Sequence, residues 1–305
     1  MRPISKKRKL VEQQERLHLA KRNFKRRFHT ENIPWLRRIM RFLIRLFFVQ
    51  AIGKKNAENL KLEKIQFSFP NLPEAFDNTR ILLITDLHLD NTKDSEERLM
   101  KIVKNIDFDY CFLGGDYTNR WQENETAHIS LTKITKELLK KSRVFGVLGN
   151  NDKYQIARTL ARAGAEMLIN EGLLIERNND KIYLAGIDDC CEYYALADTK
   201  LANQNAEKNS FKIMLAHAPD KYREAENQGY DLYLTGHTHG GQICLPFGIA
   251  VITGTTVPRT MVKGKWNYHA MQGYTSRGAG TTNIKARYFC PPEITLITLR
   301  KTTAN

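Results

Sequence analysis

From Phe67 onward the chain alternates short, nearly uninterrupted apolar runs with stretches whose apolar residues recur every three or four positions. Six runs have the length and β-branched or aromatic content of strands: ILLITD (81–86), DYCFLGGD (109–116), RVFGVLGN (143–150), KIYLAGI (181–187), FKIMLAH (211–217) and DLYLTGH (231–237). Their lack of polar alternation predicts cover on both faces. SEERLMKIVKNI (95–106), the stretch from Asn124 to Lys140 and YQIARTLARAG (154–164) carry helical spacing. Buried strands alternating with helices predict a layered α/β fold. The stretch from Gln242 to Leu299 is richer in Gly, Thr and β-branched residues and is expected to add strands to a second sheet. There is no internal repeat and no low-complexity linker.

Five of the six strand-like runs end in a side chain able to bind a metal: Asp86, Asp116, Asn150, His217 and His237. In α/β sheets, sites form beyond the carboxyl ends of the strands. Five strands delivering oxygen and nitrogen donors to one edge points to a metal centre there.

The charge is unevenly placed. Of the formal +15, residues 1–50 hold 15 Lys/Arg against three Glu, so the other 255 residues are nearly neutral. Residues 35–52, WLRRIMRFLIRLFFVQAI, are apolar but interrupted by Arg37, Arg38, Arg41 and Arg45. At about 100° per residue these arginines form one stripe roughly 100° wide. The charge-free run Leu46–Gly53 is far shorter than the ~20 residues of a spanning helix. The pattern is that of a helix lying in a membrane interface, with the preceding basic arm drawn to anionic lipid. The expected organisation is a basic arm and interfacial helix over residues 1–55 and a globular domain over 56–305. Two other readings compete: the helix packs as ordinary core, or the arm binds nucleic acid. The arm shows neither aromatic interleaving nor zinc-ligand spacing, and a nuclease would spread cations over its body, so nucleic acid is not expected. Cys111, Cys190, Cys191, Cys244 and Cys290 form no CxxC pair and read as reduced thiols, which suits a cytosolic face.

The strand ends carry motifs. They are Asp86-Leu87-His88, Gly115-Asp116-Tyr117-Thr118-Asn119, Gly149-Asn150-Asn151-Asp152, the lone His217, and Gly236-His237-Thr238-His239. In this order they resemble the five motifs of the calcineurin-like metallophosphoesterases, across roughly residues 80–245. The resemblance implies a layered α/β/β/α sandwich and two divalent ions. One ion is held by Asp86, His88, Asp116 and His239, the other by Asp116, Asn150, His217 and His237, with Asp116 shared. Imidazole and carboxylate donors suit manganese, iron or zinc better than calcium. Two ions about 3.5–4 Å apart can both contact one phosphate. Asn151 and Asp152 stand at the motif's catalytic positions, and Asn119, Arg277 and Arg287 are candidate substrate contacts. His18, His29, His128 and His269 match nothing; Asp90, Asp188 and Asp189 read as turn or surface acids.

The family commonly has His where this chain has Asn151, and that His is thought to protonate the leaving oxygen. An amide cannot act as an acid near pH 7. An alkoxide needs the proton; a phosphomonoester leaving group, with a pKa of about 6, does not. The departure therefore favours a pyrophosphate substrate, unless Asn151 only orients substrate or another residue donates. The extensions Gly240-Gly241-Gln242 and YTSRGAG (274–280), with RYFCPPEITLITL (287–299), resemble membrane-associated envelope phosphodiesterases. That branch includes UDP-2,3-diacylglucosamine hydrolases, which release UMP and a lipid monophosphate at the cytoplasmic face of the inner membrane. The resemblance implies a lipid-linked nucleotide substrate, an anionic membrane surface as partner of residues 1–52, and a peripheral location. A generic envelope phosphodiesterase is the competing enzymatic reading. An intact ligand set argues against a non-catalytic scaffold.

Overall fold

The computed structural model describes Glu12 and residues 50–303, except 92–93, 120–124, 192–195 and 283. The proposed interfacial helix lies outside the described residues apart from its last three positions. Those belong to α1 (Gln50–Glu58), which crosses the expected boundary at residue 55. Gly53 sits where α1 meets Tyr288 and Ala286, and its carbonyl accepts from the Arg287 amide at 2.9 Å. Among the described residues, no helix is long and apolar enough to cross a membrane.

All six predicted runs form strands: β2 (Arg80–Ile84), β3 (Tyr110–Leu113), β4 (Arg143–Gly146), β7 (Asp180–Gly186), β8 (Phe211–Leu215) and β9 (Leu232–Thr235). Each of the first three and the last two stops two to four residues before its candidate ligand, which therefore sits on the turn beyond the strand. The predicted helices are α2 (Ser95–Val103), α3 (Glu125–Leu139) and α4 (Tyr154–Ala163). Glu96 and Glu97 open α2 and Lys101 closes it, complementing the helix dipole. Gly164, at φ 113°, ends α4 in the left-handed conformation that a side chain would resist.

Two six-stranded sheets pack face to face. β1 (Lys61–Phe69), β5 (Glu166–Met167) and β14 (Glu293–Lys301) complete the first, in the order β1-β14-β2-β3-β4-β5. β6 (Glu171–Arg177), β12 (Gly264–Tyr268) and β13 (Met271–Thr275) complete the second, β12-β13-β9-β8-β7-β6. Side chains that alternate along each strand feed different layers. On β2, Ile81 and Leu83 enter the core between the sheets, with Phe112, Phe211 and Leu234, while Leu82 and Ile84 pack under α2, α3 and α4 with Leu131 and Leu160. On the second sheet, Tyr183, Met214 and Tyr233 face outward to Tyr222 of α6 (Tyr222–Asn227) and Ala202 of α5 (Thr199–Asn203). The layers are α/β/β/α, and double-sided burial explains why the central strands carry no polar alternation.

The C-terminal stretch divides between the sheets. β12 and β13 join the second, as expected, but β14 inserts into the first, parallel to β1 and antiparallel to β2. Its apolar run marks it as buried; what assigns the sheet is pairing along nine positions with β1, from Lys61↔Glu293 to Phe69↔Lys301. β1 itself, KLEKIQFSF, is an edge strand whose charged, partly exposed half conceals it in the sequence. β10 (Cys244–Leu245) and β11 (Ile249–Ala250) form a separate hairpin.

Candidate metal centre

The turns after β2, β3, β4, β8 and β9 converge at one end of the sandwich. Asp86, His88, Asp116, His217, His237 and His239 are all buried there, with Asn150 half-buried. Five of these residues hold left-handed backbone without being glycine: Asp86 (φ 55°), His88 (43°), Asp116 (55°), His237 (70°) and His239 (49°). Each such conformation costs about 1 kcal/mol or more, and their clustering is the signature of a site whose geometry the surrounding fold imposes. Neighbouring backbone fixes it: the Asp86 amide donates to Gly115 O at 2.9 Å, His88 N to Asp116 O at 3.1 Å and Gly236 N to His217 O at 2.9 Å. Gly236 and Gly149 have no room for a Cβ, because the Thr85 hydroxyl and the Asp86 carboxylate occupy that space at the first and the Asp116 carboxylate at the second.

The imidazoles pair. His88 Nε2 is 3.1 Å from His239 Nε2, and His217 Nε2 is 3.2 Å from His237 Nδ1. Asp116 lies between the pairs, 3.7 Å from His88 Nε2 through one oxygen and 3.5 Å from His217 Nε2 through the other. Asp86 Oδ1 is 3.4 Å from His239 Nε2. Two overlapping groups, Asp86/His88/His239 and Asp86/Asp116/His217, have donor atoms within 4.8 Å of one another.

Backbone carbonyls, which can only accept, set three of the rings. His88 Nδ1–H donates to Thr118 O (3.1 Å), His217 Nδ1–H to Gly114 O (2.9 Å) and His237 Nε2–H to Gly254 O (3.2 Å). Each ring then turns its lone pair inward, as a metal ligand held by an outer carbonyl does. At His217 that lone pair meets Asn150 Oδ1 at 3.1 Å, His237 Nδ1 and Asp116 Oδ1. Four acceptors converging on one point are satisfied only by a cation or a proton, so this half of the site fits a metal ion. The other half fits with one adjustment. Arg287 Nη2 donates to His239 Nδ1 at 3.2 Å, and a cation at Nε2 would put a proton on that nitrogen. The same Nη2 already reaches the carbonyls of Arg277 (2.7 Å), Gly278 (3.1 Å) and Gly280 (2.6 Å), so releasing His239 costs it little.

The electrostatics favour positive charge in the same place. Burial opposes charging His217, but the carboxylates of Asp116, Asp86 and Asp189 outweigh it and raise its pKa well above the ordinary histidine value. Burial would raise Asp116, yet His217 and His88 and the Asn151 amide hold it below the usual carboxylate range. Burial, with His88 and Arg287 nearby, keeps His239 neutral.

The other candidate residues divide. Asn151 is in the centre: its amide N–H donates to Asp116 Oδ1 at 2.9 Å and its side-chain amide to Oδ2 at 2.7 Å. Asp152 is fully buried and accepts from the backbone amides of Asp116 (2.7 Å), Tyr117 (2.9 Å) and Gly149 (2.9 Å). It clamps the two loops that carry Asp116 and Asn150. Burial and the neighbouring Asp116 charge push its pKa up to about 8, against the Gly149 and Tyr117 amides and the nearby His217. Asn119 donates its amide to Asp90 Oδ1 at 2.6 Å, which gives Asp90 the turn role expected of it. Arg277 is ion-paired with Glu293 and, at 2.9 Å, with Glu63.

One sequence expectation needs correction, and a second is narrowed. Arg287 is not a substrate contact: it is wholly buried and its guanidinium is spent on backbone carbonyls, including His239 O at 3.3 Å and Cys290 O at 3.4 Å. It staples the 277–280 loop to the loop of His239. Asp188 and Asp189, expected as turn or surface acids, are turn acids: Asp188 Oδ1 accepts from the Asp189 amide and Asp189 Oδ2 from the Cys191 amide, both at 2.9 Å, and the two residues are 2% and 1% exposed, beyond β7 at the same edge as the centre. Their position straight after a strand-like run was the available signal. Cys191 Sγ, beside them, lies 3.7 Å from His237 Nε2. All five cysteines are free.

A sandwich of this kind, with these turns at one edge, defines a protein able to hold divalent metal beyond its strand ends. The family model described as calcineurin-like phosphoesterase matches residues 79–241, more than half of the chain, and the chain belongs to that family. Among curated relatives, the metallophosphoesterase YkoQ of Bacillus subtilis is 29% identical over 259 residues, 82% of this chain and 95% of its own length. The phosphodiesterase YaeI of Escherichia coli is 27% identical over 229 residues, covering 72% of this chain and 82% of YaeI. A zebrafish protein described as a transmembrane protein with a metallophosphoesterase domain is 28% identical over 267 residues, 80% of this chain and 58% of its own. The protein is a metal-dependent phosphoester hydrolase.

Proposed function

We propose that Asp86, His88, Asp116 and His239 hold one divalent ion and that Asp116, Asn150, His217 and His237 hold a second, with manganese the expected metal and iron or zinc as substitutes. The protein then hydrolyses the pyrophosphate of UDP-2,3-diacylglucosamine to UMP and 2,3-diacylglucosamine 1-phosphate, at the cytoplasmic face of the inner membrane. The observation that carries this reading is the Asn151 side-chain amide, donating to Asp116 Oδ2 at 2.7 Å, where the family's motif places an imidazole.

Bound ions supply charge neutralisation at phosphate and an acidified water. The chain's own residues do the rest. Asp116 lies between the two histidine pairs, and Asp152 holds its loop against that of Asn150. Asn151 donates hydrogen bonds but has no proton to give up near pH 7, so the leaving group departs unprotonated. Phosphate does this readily and an alkoxide does not. Residues 1–52 supply the attachment to an anionic membrane and 56–305 the catalytic domain; the zebrafish relative, described as a transmembrane protein, supports a membrane as the working place.

The test is Asn151→His. With Mn²⁺, kcat/KM on an alkyl phosphodiester should rise by up to ~10²-fold, where protonation limits the rate, and change little on the UDP-lipid. Equal changes on both substrates would remove the case for a pyrophosphate. The protein would then be read as a phosphodiesterase of the kind YaeI is described to be.

A further inference from the structure

Nine large apolar side chains are exposed among the described residues, and five of them form one patch. Leu245 (54%), Phe247 (98%), Ile249 (54%) and Val251 (54%) line the hairpin of β10 and β11, and Phe289 (61%) joins them. Cys244 N donates to Tyr288 O at 3.0 Å, and a Cβ on Gly248 would come within 3.2 Å of Phe289 O, so the hairpin and Phe289 are neighbours. Scattered exposed leucines need no explanation; a contiguous patch does. Phe247 is the sharpest case. It holds φ 64° at the tip, a conformation that glycine or asparagine takes more easily, and it buries nothing in return. Folding stability gives no reason for that residue.

The surroundings say what covers the patch. From Leu232 to Pro292 the chain has no Asp or Glu but six cations, of which Arg287 is buried and Arg277 is paired with Glu63 and Glu293. Two of them grip the hairpin: Lys263 Nζ donates to Gly248 O, and Arg259, exposed, donates to Ala250 O at 2.6 Å. Lys285 is exposed two positions before Arg287. Apolar tips flanked by the cations Arg259, Lys263 and Lys285 match the layering of an anionic bilayer, acyl chains beneath phosphate headgroups. The patch is also tied to the end of the expected membrane segment that the structure describes, because α1, which begins at Gln50, accepts through Gly53 O from the Arg287 amide, two residues before Phe289.

We propose that the 245–251 hairpin and Phe289 form a wedge that inserts into an anionic lipid surface and turns the metal centre toward it. Both roots of the hairpin lie at candidate ligands. His239 is five residues before Cys244, and Gly254, three after Val251, accepts from His237 Nε2 at 3.2 Å. Insertion therefore sets the distance and tilt between the centre and the headgroup layer, so the phosphates within reach are those at lipid heads. The inference deepens, and rests on, the reading that the enzyme works at a membrane.

The experiment uses the full chain and vesicles of phosphatidylglycerol and phosphatidylethanolamine. Phe247→Ser with Ile249→Ser should weaken vesicle partitioning by roughly tenfold or more, the loss of two buried apolar side chains. Turnover of a water-soluble diester should be unchanged, which shows that the variant is folded. Phe247→Trp, read as the difference from the unsubstituted protein, should gain vesicle-bound emission that brominated acyl chains quench. If the protein sediments with vesicles but the added tryptophan is not quenched, the wedge is refuted. Attachment then belongs to the N-terminal segment alone, the patch faces a protein, and the membrane reading survives. If the full chain does not bind vesicles, wedge and membrane reading fall together. Failure of the Asn151→His comparison beside a quenched tryptophan removes the pyrophosphate assignment and leaves the wedge.

Discussion

Replacing Arg287 by Met separates a structural staple from a substrate arm. Methionine keeps the length and much of the packing of the stem but has no donors. In the native protein the guanidinium serves five carbonyls, those of Gly280 (2.6 Å), Arg277 (2.7 Å), Gly278 (3.1 Å), His239 (3.3 Å) and Cys290 (3.4 Å). Losing a buried, charge-assisted network of that kind costs about 3–5 kcal/mol, after allowing for the desolvation that Met avoids. For a domain of this size 1 kcal/mol moves Tm by roughly 2–4 °C, so the expected drop is about 10 °C. The loss should also reach the centre. Ala279 N and Gly280 N donate to Thr85 O (2.9 Å) and Asp86 O (2.7 Å), so the loop that Arg287 holds is the loop that holds Asp86. Thermal unfolding followed by circular dichroism gives the first quantity, and metal content after dialysis gives the second. Arg287→Lys should recover only a small part of either, because three donors on a flexible stem cannot replace the planar fork. A variant with unchanged Tm and metal content but a raised KM would refute the reasoning and return Arg287 to the substrate.

Two other outcomes follow from the centre. Asp116→Ala should lower turnover by at least about 100-fold with circular dichroism unchanged, since one carboxylate serves both halves of the site; activity retained under excess Mn²⁺ would sink the shared-ligand assignment. Chelation should lower Tm, and adding Mn²⁺ at about 100 times its Kd should restore roughly 2.7 kcal/mol, or about 5–10 °C. A Tm indifferent to metal would mean that the facing acceptors around His217 are satisfied by a proton instead.

The sequence by itself determined the layers and most of the centre. ILLITD and FKIMLAH read as strands because both of their faces are buried, a local property with a local signature. Asp86, Asp116, Asn150, His217 and His237 were legible because each follows such a run, and a strand end needs no tertiary information to be seen. Tertiary structure decided what depends on contacts between distant segments. β14 has the pattern of any buried strand, and only its register against β1 placed it in the first sheet rather than the second. Arg287 looked free to meet substrate because nothing nearby in sequence pairs with it; its partners are carbonyls, which every residue carries and no pattern reveals. Asp188 and Asp189 are legible as turn acids, but only the second sheet shows them buried at the edge shared with the first. The apolar hairpin read simply as strand-forming residues, since a run such as CLPFGIAVI is apolar whether it is buried or bare. Periodicity reports which residues favour burial, and only the packed molecule shows which of them are left uncovered.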